Sequence, residues 1–225
     1  SVALKTELEG AQIQLSHAFS QEGAVSDGRY FSAEIRKDIG AHGLTLGAGT
    51  LSEAGAFVGT DVTGAFGAGL EADTHFVTVK GDFDIGSQRS ITLGGSIGST
   101  SFAGNGILQS GKDIGTSSLG VQYAHSGLIY GSDRLTLSAS RNLIVTGGKM
   151  QARTPTSLGV ATQGVRSDEV KMTQASIDMA STAAPIDLGL GYEVELTNGR
   201  LAFGAAFRGG DYGHAVGSVG YSLRF

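Results

Sequence analysis

Between Ile186 and Leu196 the chain reads IDLGLGYEVEL, and every second residue is apolar. In an extended strand, Ile186, Leu188, Leu190, Tyr192, Val194 and Leu196 share one face. Asp187, Gly189, Gly191, Glu193 and Glu195 share the other, because successive side chains point to opposite sides. An ordinary strand runs about five or six residues. This run has the length at which a tilted strand crosses a bilayer, about 9–11 residues. The fold must therefore offer this strand an apolar environment on one face and a polar one on the other.

The same period recurs along the chain. Leu201, Phe203, Ala205 and Phe207 alternate with Arg200, Ala202, Gly204, Ala206 and Arg208. Asn198-Gly199 lies between these two runs and predicts a two-residue hairpin turn; DYGH at 211–214 predicts the next turn. At the end of the chain, Val219, Tyr221, Leu223 and Phe225 alternate with Ser218, Gly220, Ser222 and Arg224. Upstream, Val77, Val79, Gly81, Phe83 and Ile85 oppose Thr78, Lys80, Asp82 and Asp84. Ile91, Leu93 and Ile97, then Leu119, Val121 and Tyr123, mark two further strands. Leu135, Leu137 and Ala139, continued by Leu143 and Val145, mark another. The pattern predicts about ten to thirteen strands. The opening SVALKTELE fits a short helix, with Leu4 and Leu8 four apart, or a first strand. Residues 1–10 are thus read as a linker or first strand, and 11–225 as one β domain.

Many alternating strands fold either as a soluble sandwich or barrel, or as a membrane barrel with its apolar face to lipid and its polar face to a wet lumen. Only 16% of residues are charged, which is low for a soluble surface. Gly is frequent, at 37 residues, and Pro is rare, at 2, so the faces opposite the apolar rows are small rather than salt-laden. A closed barrel also removes the edges that so many strands would otherwise expose. The counter-signal is aromatic content. There is no Trp, whereas membrane barrels carry aromatic girdles. The reading adopted is all-β: a transmembrane antiparallel β-barrel of about twelve strands, placed in lipid. Its lumen-facing polar set is Lys80, Asp82, Asp84, Asp187, Glu193, Glu195, Arg208 and Arg224. Those charges either line a polar path or pair across strands and stiffen the wall.

The last residues resemble the C-terminal signature of bacterial outer-membrane barrels, which end on an aromatic residue preceded by alternating apolar ones. The matching positions are Val219, Tyr221, Leu223 and Phe225. That resemblance implies an assembly signal read by the barrel-assembly machinery, and the outer membrane as location. Residues 40–225 further resemble the translocator of subtilase-type autotransporters. The match rests on Val58-Gly59, Gly64-Ala65-Phe66-Gly67, Thr74, Gly81-Asp82, Asp133-Arg134-Leu135, Leu143, Val145, Gly147 and Ile186-Asp187-Leu188. Asn142 and Ile144 depart from the family, which carries Pro and Arg there. The resemblance implies a translocator that supports secretion and surface anchoring of an N-terminal passenger polypeptide. Any peptidase chemistry would then reside in that passenger.

The residues themselves suggest no catalysis, metal or cofactor. With no Cys, thiolate chemistry is excluded. His17, His42, His75, His125 and His214 include no pair at metal spacing. His125 beside Ser126 is the nearest enzyme-like pair, and a His at a strand end is the simpler reading. GAFGAG at 64–69 has the Gly density of a phosphate loop without its Lys-Ser/Thr. A net charge of −5 with no basic stripe argues against nucleic acid. SVALKTELEG lacks the basic and apolar regions of a signal peptide, as expected of a cytosolic chain or of a mature or excised piece of an exported one. The rival readings are a free-standing pore or structural barrel, a soluble Gly-rich adhesion protein, and a barrel enzyme.

Overall fold

The computed structural model describes residues 1–19, 27–57, 60–62, 64–157, 171–181, 184–209 and 213–223. Strand follows strand: β1 (Val2–Leu8), β2 (Ala11–Phe19), β3 (Asp27–Ile39), β4 (His42–Ala54), β5 (Ala56–Phe57) and β6 (Thr60–Asp61). One helical turn, α1 (Gly64–Gly67), precedes β7 (Glu71–Asp84), β8 (Arg89–Ala103), β9 (Leu108–Ser126) and β10 (Asp133–Ser157). β11 (Lys171–Asp178), β12 (Ile186–Leu196), β13 (Gly199–Arg208) and β14 (His214–Leu223) complete the chain. Twelve strands form one antiparallel sheet in the order β1-β2-β3-β4-β7-β8-β9-β10-β12-β13-β14, with β11 also paired to β10. Among the described residues β5 and β6 pair only with each other.

β11 and β12 are two halves of one column. β11 pairs with the C-terminal half of β10 and β12 with its N-terminal half. Between them, the Met179 and Ser181 N–H groups donate to the Gly148 and Val145 carbonyls, so the ladder continues. Across the described residues β1 is bonded only to β2, and β14 only to β13. The sheet is therefore open there, and the closure expected from the sequence is not seen among them.

Turn chemistry separates the two ends of the sheet. Leu8 faces Ala11 across Glu9-Gly10, both left-handed at φ 49° and 74°, the requirement of a type I′ hairpin. Ile39 faces His42 across Gly40-Ala41, with Gly40 at φ 62°. Leu196 faces Gly199, so the turn is Thr197-Asn198, one residue earlier than Asn198-Gly199 suggested. Gly199 already belongs to the ladder. The connections 85–88 and 127–132 lie at this same short-turn end. The opposite end carries the longer connections, including 55–70 and the stretch between β10 and β12.

Register gathers the alternating residues into two continuous faces. Leu4, Leu15, Ala33, Ala48, Val77 and Ile97 align across six strands. Leu93, Val121, Ala139, Leu188, Phe207 and Ala215 align across six. Opposite them, Glu34, Gly47, Thr78, Ser96 and Ser118 align, as do Gln122, Ser138, Gly189 and Ala206. SVALKTELE is strand, not helix, because Leu4 pairs with Leu15. The expected continuation of Leu135, Leu137 and Ala139 into Leu143 and Val145 is broken. The register shifts between Arg141 and Ile144, one extra residue enters β10, and Val145 crosses to the other face, as a β-bulge requires.

Candidate functional site

The two faces reverse the arrangement of a soluble protein. On the apolar face Leu190 is 47% exposed, Ile97 67% and Val219 72%. On the polar face Ser32, Thr74, Thr100 and Thr116 are buried, Thr100 completely. The polar face is the concave one. Lys5 and Gln12, on β1 and β2, line a trough of about 610 Å³ together with Lys80 on β7. In a flat sheet β1 and β7 would lie roughly 19 Å apart at the usual strand spacing, so the sheet curls. A neighbouring trough of about 820 Å³ continues over Thr78, Ser96, Ser118, Gln122 and Ser140.

Charges in these rows are tied to one another. Asp82 accepts from Arg36 Nη1 at 2.9 Å and from Thr92 Oγ1 at 2.8 Å, with Lys80 Nζ at 3.3 Å. Arg36 also bonds Asp38 at 3.1 Å. Arg36 sits on β3 and Asp82 on β7, so the bridge passes over β4 at Gly43. A Cβ on Gly43 would lie 2.6 Å from Arg36 Nη2. Asp187 takes two bonds from Arg208, both 2.9 Å, and one from Asn142 Nδ2 at 2.6 Å. Glu193 pairs with Arg200. Ser96 and Ser118 share a hydroxyl–hydroxyl bond of 2.7 Å, and Thr74 and Thr100 one of 2.9 Å.

Lys80 and Asp82 thus meet, Asp187 and Arg208 meet, and Glu193 finds Arg200, which shares the polar face but stands outside the expected lumen-facing set. Asp84 stands opposite Ser90 and Glu195 opposite Arg200 at the short-turn end. Arg224 and Phe225 lie outside the described residues, as do Val58 and Gly59. Val219, Tyr221 and Leu223 occupy the edge strand β14, opposite Phe203, Leu201 and Gly199. Arg36 and Asn142 likewise stand outside the expected lumen-facing set. Their polar-face parity was readable, but the strand neighbours they reach were not.

One end of the concave face is not polar. Leu70, Ala72, Phe102 and Ile114 form a buried cluster, joined by Phe57, Val62, Leu108, Val145, Met150 and Met179. Phe57, Val62 and Leu70, from the connection between β4 and β7, help to build it. The Gly55 N–H donates to the Leu70 carbonyl, the Val62 N–H to that of Gly55, and the Asn105 N–H to that of Ala68. The GAFGAG stretch contributes a single helical turn here, which begins at left-handed Gly64 and is followed by left-handed Gly69.

At the short-turn end, Asp133 locks the 127–132 connection. Its carboxylate accepts from the N–H groups of Leu128, Ile129 and Tyr130 and from the Tyr192 hydroxyl, at 2.6–2.9 Å. Asp133 is 2% exposed. It is the first residue of β10, at the short-turn rim of the sheet. Burial pushes this carboxyl up, yet the four donors outweigh it and hold it at about 2.

His125 meets Tyr123 edge-on, with ring centroids 6.3 Å apart, and the Ser126 N–H donates to the Gln88 carbonyl. Gly94-Gly95-Ser96-Ile97-Gly98 spells the letters of a nucleophile elbow, but lies inside β8 rather than at a strand-to-helix turn. Among the described residues no group of three or more His, Asp or Glu side chains is placed to hold a metal ion. No helix among them is long and apolar enough to cross a membrane, which says nothing of crossing by strands. No family model, curated protein or solved structure matches this chain.

Proposed function

We propose that this chain is an outer-membrane β-barrel acting as the translocator for an N-terminal passenger polypeptide. The observation that carries the reading is the inversion of polarity. Exposed Leu, Ile, Val and Phe cover the convex face, while the buried hydroxyls of Ser32, Thr74, Thr100 and Thr116 and partly exposed ion pairs occupy the concave one. Water gives no reason for such an arrangement, whereas lipid outside and a wet lumen inside do. Short turns at one end and long connections at the other also fit an outer-membrane barrel. Aromatics gather toward both ends of the apolar face: Phe19 and Phe31 at the long-loop end, Phe83, Phe203 and Tyr221 at the short-turn end. They partly supply the girdle that the lack of Trp had put in doubt. The resemblance of 40–225 to subtilase-type translocators supports the passenger role.

The test is surface display. The full chain, with its upstream polypeptide, is expressed in a Gram-negative host, the membranes are washed with urea, and intact cells are treated with protease. The barrel should stay with the outer membrane and the upstream part should be shaved from the cell surface. An upstream part retained in the periplasm, beside a correctly inserted barrel, would favour the second reading, a free-standing pore. The two adjoining troughs on the concave face, which share Glu34, Thr45 and Lys80, favour that alternative. Steady conductance in a planar bilayer would support it.

A further inference from the structure

The two open edges of the sheet have a defined relative direction. Every pairing along β1-β2-β3-β4-β7-β8-β9-β10-β12-β13-β14 is antiparallel. The path has eleven strands, so its first and last members run the same way. Both β1 and β14 descend from the long-loop end to the short-turn end. Joining them directly would make one parallel seam in an otherwise antiparallel wall. Single-chain bacterial barrels close with an even number of antiparallel strands, and an unpaired edge at membrane depth leaves a row of unsatisfied N–H and C=O groups.

We propose that one further strand lies between β1 and β14, antiparallel to both, and that it is supplied by polypeptide leading into Val2. Direction fixes the connection. A strand antiparallel to β1 rises to the long-loop end, where β1 begins at Val2, opposite His17. A hairpin at that end joins the two. The inserted strand presents apolar residues outward beside Leu4 and Val219, and small or polar residues inward beside Lys5 and Ser218. The inference rests on the translocator reading for its source, since that reading places polypeptide upstream, but its geometry comes from strand direction alone.

The 225 residues hold no cysteine, so introduced cysteines report cleanly. In the full chain, extracted in detergent, Thr6→Cys is paired with Gly217→Cys and, separately, with Val219→Cys. Directly neighbouring strands lie about 4.8 Å apart and permit a disulfide, which needs Cα atoms within about 7 Å. An intervening strand sets β1 and β14 roughly 9.6 Å apart and forbids it. The expected result is no intramolecular disulfide in either pair. Single cysteines walked through the residues upstream of Ser1 should instead cross-link to Val219→Cys at alternate positions only. A disulfide between Thr6→Cys and either β14 position within one chain would overturn the proposal, even in a chain that displays its passenger. A disulfide-linked dimer would overturn it too, by assigning the edges to a second copy. Failure of surface display with the upstream cross-links intact would sink the translocator reading and leave the strand in place.

Discussion

Leu190 and Gly191 are neighbours in β12 and test the assignment of faces. Leu190 is 47% exposed on the convex face. Gly191 lies on the concave face, where an added Cβ would meet only Thr136 Cβ, at 3.7 Å. Leu190→Arg should cost about 2–4 kcal/mol, the penalty for a charge on the lipid face near mid-membrane, and should deplete the assembled protein in outer-membrane fractions. Gly191→Ser should assemble normally. Gly43 gives a subtler case. Gly43→Ala forces the Arg36 guanidinium aside and breaks its bridge to Asp82. Both partners are partly exposed, so the loss should be under about 1 kcal/mol, read as a small fall in the urea unfolding midpoint. The face of each residue was legible from alternation alone, but Arg36 reaching over Gly43 was not. That bridge joins strands far apart in sequence, and one sequence does not display register.

At the level of elements, two features hold the ends of the sheet. Asp133 secures the 127–132 turn through three backbone N–H groups and Tyr192. Its folded carboxyl titrates at about 2, below the ordinary Asp value near 4. Its stabilisation is therefore complete above the ordinary value and is lost as pH falls through about 2. The unfolding temperature should drop between pH 5 and pH 2.5, and Asp133→Asn should lower it at pH 7 while flattening that drop. The other end relies on the inward cluster. Ile114 is 0% exposed there, and Ile114→Ala should cost about 2–5 kcal/mol, seen as faster proteolysis in the 55–70 segment. The sequence betrayed the spanning strands because period two is strong over long runs. The apolar cluster stayed hidden because Phe102, Ile114 and Leu70 sit where alternation is interrupted and a loop doubles back. The bulge after Arg141 shifted Val145 for a similar reason: an inserted residue changes parity without changing composition.

As a whole molecule, the proposed barrel is an inverted sheet that closes around a wet interior within lipid. The strand count near twelve, the antiparallel order and the two faces were all legible in the sequence. Closure was not, because parity depends on how the columns stack, and β11 and β12 share one column. The most direct measurement is heat modifiability: the full chain is extracted from membranes in detergent and run on a gel, unboiled and boiled. A closed barrel keeps its ladder of strand pairs in detergent, so the unboiled protein should migrate as a compact species and shift on boiling. A protein that dissolves without detergent and migrates identically before and after boiling would contradict the account, and would mean that Leu190, Ile97 and Val219 are covered by another protein surface rather than by lipid.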